Sequence, residues 1–228
     1  MNEGWQPVRA GPSPEDAPPT AGRPQTLPER TAAEADARKA RPGVGKRPIV
    51  DHNFMASRGQ GDLQFVRATS ADVALVVAVL DQAAAWLTAA GIKQWPDRFE
   101  TEWVAPSVER GETWLVRIDG RTAGTMTLDW SDPLWSDRAG KAGYVHRMAV
   151  ERWAAGIGRA ILTWAADQAC AHGGATLRLD CVAANRGLRA YYEAAGFQHR
   201  GDVEVGGAPG QRSDDGIRTL VSRYELPL

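Results

Sequence analysis

Beyond residue 61, apolar positions recur with two different periods, and the switches between them mark out strands and helices. Leu63, Phe65 and their neighbours to Arg67 alternate as a strand does, and Thr69 with Asp72 has the spacing of a helix-capping box. Val73, Val76, Val77, Leu80, Ala84 and Leu87 then repeat at helical spacing, with Gly91 as a stop signal. A shorter helical stretch is predicted near residues 100–110. Residues 114–118 and 122–129 flank Asp119-Gly120, a strong hairpin signal. A strand over 144–150 leads into a glycine turn, and Ile157, Ile161, Trp164 and Ala165 then give the buried face of a helix that Gly173 ends. Leu177, Leu179 and Cys181 alternate on the next strand. After Asn185, Leu188, Tyr191, Tyr192 and Ala195 fall at i, i+3, i+4 and i+7, and residues 219–226 supply a final strand. No internal repeat interrupts this order.

The turn at Gly156 and Gly158 is where the pattern acquires chemistry. Glycines there let backbone approach a ligand with no Cβ in the way. The unbonded amides of a helix start, together with the positive end of its dipole, suit phosphate oxygens, and Arg159 adds a charge. A pyrophosphate is a natural guest, although close packing alone also accounts for two glycines. Rival phosphate motifs fit worse. A dinucleotide fingerprint needs a third glycine where Ile161 stands, and no Gly-Lys-Ser/Thr occurs in the chain.

With its flanking elements, the segment from Tyr144 to Phe197 resembles the acetyl-coenzyme A binding core of the GCN5-related N-acetyltransferase (GNAT) superfamily, and the outline of the chain from Leu63 to Leu226 resembles that family's element order. The resemblance implies an α/β (α+β) fold: a mixed, mostly antiparallel central sheet of six to seven strands flanked by about four helices. It implies that the strand ending in Met148, Ala149 and Val150 has a bulged backbone that pairs with the pantetheine arm, and that Asn185 contacts that arm. Gly156, Ile157, Gly158 and Arg159 would hold the pyrophosphate. Tyr192, four residues before Gly196, matches the family's general acid. One departure stands out. Gly158 lies only eight residues after Val150, where the family usually has about ten, and Trp153 occupies the usual Arg or Gln position with Arg152 one place off. Either the strand ends before Val150, or fewer amides face the pyrophosphate.

An amine must lose its proton before attacking a thioester, and a lysine-like amine has a pKa of about 10.4. His146 is the candidate base, since it lies four residues before Val150, where some family members carry a catalytic histidine, and an imidazole ordinarily titrates at about 6.5. Even spacing puts it on one strand face with Met148. A hydrogen-bonded strand histidine, with a water chain as base, is the plainer alternative. Tyr192 is the candidate acid for the departing thiolate; otherwise it is a core tyrosine. Tyr191 packs or lines the substrate side. Strand amides from Met148 to Val150 would steady an oxyanion. Cys181 alternates with leucines and reads as a small buried hydrophobe rather than a nucleophile. With Cys170 the only other cysteine and His52, His172 and His199 scattered, no set of metal ligands is visible. For the acceptor, Trp95, Trp130 and Trp135 with Asp129, Asp132 and Asp137 lie in turn-rich segments that border the family's acceptor pocket, and would suit a cationic amine. Asp129 is a second base candidate. Most of the nine tryptophans are expected in the core.

Composition narrows the rest. The chain is 43% hydrophobic with a formal net charge of -1, so nothing in it draws nucleic acid by overall charge. Nine of its 14 prolines precede residue 50, amid Ala, Gly and charged residues, so residues 1–61 read as a disordered leader and 62–228 as the acetyltransferase domain. Met55 is an alternative start. The leader lacks the apolar core of a secretory signal, and the apolar run 73–80 is short for a membrane span, so a cytoplasmic protein without membrane contact is expected. Two cysteines argue against a disulfide scaffold. The leading expectation is therefore transfer of an acetyl group from acetyl-CoA to a small-molecule amine by direct attack in a ternary complex. A non-catalytic acyl-CoA sensor or interaction module is the alternative. Pairing of an exposed final strand would allow a homodimer.

Overall fold

In the computed structural model, residues 62–207 and 216–228 are described; the leader expected over 1–61, with Met55, lies outside them. Among the described residues the strands are β1 (Leu63–Arg67), β2 (Thr113–Ile118), β3 (Arg121–Asp129), β4 (Ala142–Val150), β5 (Thr176–Val182), β6 (Gln198–Gly206) and β7 (Arg218–Pro227). The α-helices are α1 (Val73–Ala89), α2 (Thr101–Glu109), α3 (Gly158–Ala171) and α4 (Arg186–Ala194). Seven strands make one sheet in the order β1-β2-β3-β4-β5-β7-β6, antiparallel everywhere except between β4 and β5. The chain's last strand therefore lies inside the sheet between β5 and β6. It is not the exposed edge on which a homodimer was expected; β1 and β6 are the edges.

Two irregularities in β4 shape everything downstream. Its parallel pairing with β5 runs only from Ala142 to Val145 against Thr176 to Leu179. Beyond Val145 the strands part, leaving a wedge between their C-terminal halves. On its other side β4 carries a bulge. Thr127 pairs with His146 but Thr125 with Ala149, so three steps on β4 oppose two on β3, and Arg147 takes a left-handed φ of 48°. The extra residue reverses the side-chain alternation. His146 thus shares a face with Ala149, not with Met148 as unbroken even spacing suggested.

Those faces are covered by different helices. On one, Val76, Leu80 and Ala84 of α1 and Val104 and Val108 of α2 pack with Leu115 and Ala149. Val79 is buried there too, while Val77 is only partly so. On the other, Ile161, Trp164 and Ala165 of α3 and Tyr192 of α4 pack with Met126, Leu177, Leu179 and Cys181. Phe65 stacks flat on Trp164 with centroids 4.3 Å apart. The stretch Ser70–Ala89 has the length and hydropathy of a membrane span, longer than the run 73–80 suggested; Val73, Val76, Val79, Leu80 and Ala84 within it are buried in the core.

Candidate active site

One large cavity, about 1300 Å³, follows the wedge between β4 and β5 and opens to both faces of the sheet. Its walls include Met148, Ala149, Val150, Gly156, Gly158, Arg159, Asn185, Tyr191 and Tyr192 on one side. Gln94, Trp95, Phe99, Trp103, Asp129, His146 and Asp180 line the other.

On the α3 side, β4 does run to Val150, so the connection to α3 is the seven residues 151–157 and the departure in loop length is real. A short 3-10 turn, Arg152–Ala154, takes up part of it. Gly156 then adopts φ 105°, a conformation closed to other residues at low cost. Ile161 donates back to the Ile157 carbonyl at 3.1 Å, but no backbone partner meets the amides of Gly158, Arg159 or Ala160 among the described residues. Three amides and a helix dipole thus face the cavity end beside Arg159. A Cβ on Gly158 would stand 2.7 Å from the Tyr191 hydroxyl, so that ring would have to shift. Tyr191 thus packs beside the glycine turn and lines the cavity there. Ile157 contributes backbone only; its side chain is buried in the core.

Asn185 caps α4, its Oδ1 accepting from the Leu188 amide at 3.1 Å. Its Nδ2 donates to Gln94 Oε1 at 3.2 Å, and the Val182 amide donates to the same oxygen at 3.2 Å. Gln94, from the loop between α1 and α2, was not foreseen; a lone glutamine in a polar loop gives no periodic signal. Tyr192 is 6% exposed, yet its ring reaches the cavity, and among the described residues its hydroxyl makes no hydrogen bond. Burial, and then Cys181 and Asp180 nearby, push its phenol far above the ordinary range. Cys181 is buried among leucines, and burial pushes its thiol up to about 12, the behaviour of a core residue.

The acceptor side differs from the sequence expectation. Trp95 and Asp129 line the cavity, with Trp95, Phe99 and Trp103 meeting edge to face at 5.5 and 6.4 Å. Trp135 does not; it is 1% exposed, held between the guanidiniums of Arg178 and Arg223 at 5.1 and 5.2 Å. Trp130 points elsewhere and stacks on His172 at 3.8 Å, beside a separate small pocket. The two were grouped because they are near in sequence, but a 3-10 turn, Pro133–Trp135, of which Trp135 alone is buried, sends them apart. Of the eight tryptophans described, Trp135 and Trp164 are buried, Trp95, Trp103 and Trp114 pack partly buried against the core, and Trp86, Trp130 and Trp153 are exposed. Arg152 lies over Trp86 and Arg121 over Trp153, which gives these rings partners at the surface.

Behind this side, Arg178 is 2% exposed and donates to Glu225 Oε2 at 2.8 Å, to the Tyr144 hydroxyl at 3.0 Å and to the carbonyls of Arg138 and Ala139. Burial works to raise the Glu225 carboxyl, but Arg178 and then Arg200 outweigh it and hold it below the usual carboxylate range. Arg223 grips Asp137 at 2.6 Å and the Leu134 carbonyl at 3.0 Å. Together they fasten the β3–β4 connection. From it, Asp132 Oδ2 lies 3.7 Å from His146 Nε2, and Asp132, His146 and Asp180 each place a donor atom within 4.8 Å of the others. That donor set is one a divalent cation accepts, which the scattered Cys and His of the sequence did not suggest.

Comparison with known proteins gives the family and the fold. Residues 80–197 match the Acetyltransferase (GNAT) family. The chain is 28% identical over 141 residues to the uncharacterized N-acetyltransferase YesJ of Bacillus subtilis (strain 168), which covers 57% of this chain and 78% of that protein. A GNAT-family acetyltransferase from Listeria monocytogenes 4b F2365 superposes with a TM-score of 0.59 at 25% identity, over 75% of this chain and 99% of that one. The structure of yncA from Salmonella typhimurium with its cofactor acetyl-CoA gives a TM-score of 0.53 at 16% identity, over 74% and 95%.

Proposed function

Because the chain belongs to the acetyltransferase (GNAT) family, we propose that it is an acetyl-CoA-dependent N-acetyltransferase acting on the amine of a small molecule by direct attack in a ternary complex. The observation that carries this reading is the single cavity through the β4–β5 wedge, with open amides at one end and His146 beside an aromatic wall at the other. One continuous space suits two substrates meeting, and needs no acylated side chain between them. Cys181, the nearest thiol, is too deeply protonated to serve as such a relay.

When bound, acetyl-CoA supplies a thioester carbon open to attack and a thiolate leaving group. The amides of Gly158, Arg159 and Ala160 bind its diphosphate, and the unpaired edge of β4 from Met148 to Val150 aligns its arm. His146 takes the proton of the incoming amine. Tyr192 keeps its own proton throughout the working pH range. Handing that proton fully to a thiol of ordinary pKa about 8.5 is uphill, so the phenol acts chiefly as a hydrogen-bond donor that strengthens as charge builds on sulfur. Trp95, Phe99, Trp103 and Asp129 bound the space for the acceptor.

Titration calorimetry with acetyl-CoA, paired with a melting curve, tests the first half: binding at about 100 times Kd stabilises the fold by about 2.7 kcal/mol. A flat titration and an unmoved melting curve sink it. An acetyl-CoA consumption screen across amine libraries tests the second. The non-catalytic sensor is the second reading, favoured by Asn185 being already engaged with Gln94; it requires binding with no turnover on any amine.

A further inference from the structure

We propose that the acceptor is a diamine, a primary amine joined by a short apolar spacer to a second cationic group, and that Asp129 selects it by holding that second charge. This deepens the reading of the site as an N-acetyltransferase and rests on it. Alternation along β3 and its register with β4 fix the place. Thr127 lies opposite His146 and Asp129 opposite Tyr144, so these four side chains share one face of the sheet. The acetyl group arrives where β4 leaves β5, just beyond their last pair, Val145 with Leu179. Asp129 is two residues along β3 from Thr127, about 7 Å at the usual rise per residue, on the side away from the phosphate turn.

Helix α2 closes the space above these strands. Trp103, Ser107 and Arg110 fall at i, i+4 and i+7 along α2 and its C-cap, on the stripe that lines the cavity. Ser107 anchors that stripe. Its hydroxyl is 2.9 Å from that of Thr113, which is 3.1 Å from that of Thr127, so Trp103 is held near Thr127 with Phe99 and Trp95 continuing the aromatic wall. Arg110 does not cancel Asp129. Its Nε donates to both carboxylate oxygens of Glu112, at 3.0 and 2.9 Å, and its second guanidinium nitrogen lies 2.7 Å from one of them. Glu112 is the chief reason that the Arg110 guanidinium is held above its usual range; Asp129 adds to this only through charge at longer reach.

The Asp129 carboxylate is fixed by one oxygen and open at the other. Oδ1 accepts from the amides of Trp130 and Ser131 at 2.6 and 3.3 Å, whereas Oδ2 takes no hydrogen bond among the described residues. Asparagine would serve such a turn equally well, so the turn does not account for the charge. A half-buried carboxylate on a cavity wall shared with indole rings suits an ammonium, by charge and by cation-π contact.

The test compares α,ω-diaminobutane, pentylamine and ω-aminopentanoate, amines of matched length that end in an ammonium, a methyl group and a carboxylate. At saturating acetyl-CoA, kcat/KM should fall in that order, with the diamine ahead of pentylamine by about thirtyfold and mostly through KM. Asp129→Asn keeps an oxygen for the amides of Trp130 and Ser131 but removes the charge. In that variant the ratio of diamine to pentylamine should collapse to about twofold or less, and Asp129→Glu should restore part of it. Each ratio is taken within one protein, so a loss of folded material cancels. A base at this position would lower kcat for both amines alike and keep their ratio. That result, or an unaltered chain that uses pentylamine as well as the diamine, overturns the inference while the acetyltransferase reading stands. Acetyl-CoA consumption with other amines but with none of these three overturns it in the same way. No consumption with any amine brings down both.

Discussion

The two ends of the cavity are built by opposite means. The phosphate end is backbone: a glycine turn, three helix-start amides and a strand edge, all within residues 148–160. The acceptor end is side chain, drawn from Gln94 and Trp95, from Asp129, from His146 and from Asp180, with Arg178 and Arg223 holding it from behind. A site made of backbone persists as long as its turn folds. One made of distant side chains depends on anchors that never touch a substrate. Substitutions at anchors should therefore damage the acceptor end and spare the phosphate end.

The largest effect is expected at Arg178→Ala. It leaves Glu225, 7% exposed, with Arg200 alone for a partner, and frees the carbonyls of Arg138 and Ala139. Breaking a buried pair in this way costs about 3 kcal/mol, a large share of the roughly 5–15 kcal/mol that holds a domain folded. Urea unfolding should show the loss, and the folded fraction should still bind acetyl-CoA while amine turnover collapses. A loss under about 1 kcal/mol would mean that the network is ornamental, and the contrast between the two ends would go with it.

Tyr192→Phe comes next, and tests the point at which the two ends meet. Removing the hydroxyl should lower kcat by about a hundredfold, or about 2.7 kcal/mol, with acetyl-CoA affinity unaltered. The ring stays packed against Phe197 and Tyr224, so stability should hold or rise slightly. Equal kcat in both proteins would leave Tyr192 as a core residue only.

The same contrast explains which parts were legible beforehand. Strand and helix order from Leu63 to Leu226, the glycine turn and Tyr192 all express periodicities within about 15 residues, which a sequence displays directly. The resemblance implied a bulge in this strand but not its place at Arg147, because inserting one residue against a partner strand leaves no mark in composition; alternation therefore put His146 on the wrong face. Trp135 shows the other failure. Its burial requires Arg178 and Arg223, 43 and 88 positions further on, and a buried arginine reads in sequence as a surface charge. Arg178 gave only a polar position in an alternating strand, the ordinary sign of a solvent face.

Gly158→Ala sharpens the picture of the phosphate end. Its new Cβ meets the Tyr191 hydroxyl at 2.7 Å, so α4 or the tyrosine must yield. Acetyl-CoA Kd should rise by about tenfold, or about 1.4 kcal/mol, with the amine KM unchanged. Adding Tyr191→Phe to it should restore part of the affinity. If the double substitution recovers nothing, the methyl group obstructs the diphosphate itself rather than the fit of the helices.

Gln94→Ala has the smallest expected effect and reports on the seam between the two ends. The Gln94 oxygen accepts two long hydrogen bonds, from Val182 and from Asn185, each 3.2 Å. Neutral bonds of this kind contribute about 1 kcal/mol each, so melting should fall by only about 4–8 °C. The sign of the change in acetyl-CoA affinity is the informative quantity. If the pantetheine arm must take Asn185 Nδ2 or the Val182 amide from Gln94, deleting the competitor tightens acetyl-CoA binding by about threefold, while the loop carrying Trp95 loosens and the amine KM rises. If Asn185 serves only to cap α4, acetyl-CoA affinity stays the same or weakens, and calorimetry on the two proteins separates these outcomes. A tightened cofactor with a weakened acceptor would make Gln94 the one side chain through which the backbone-built end and the side-chain-built end oppose each other.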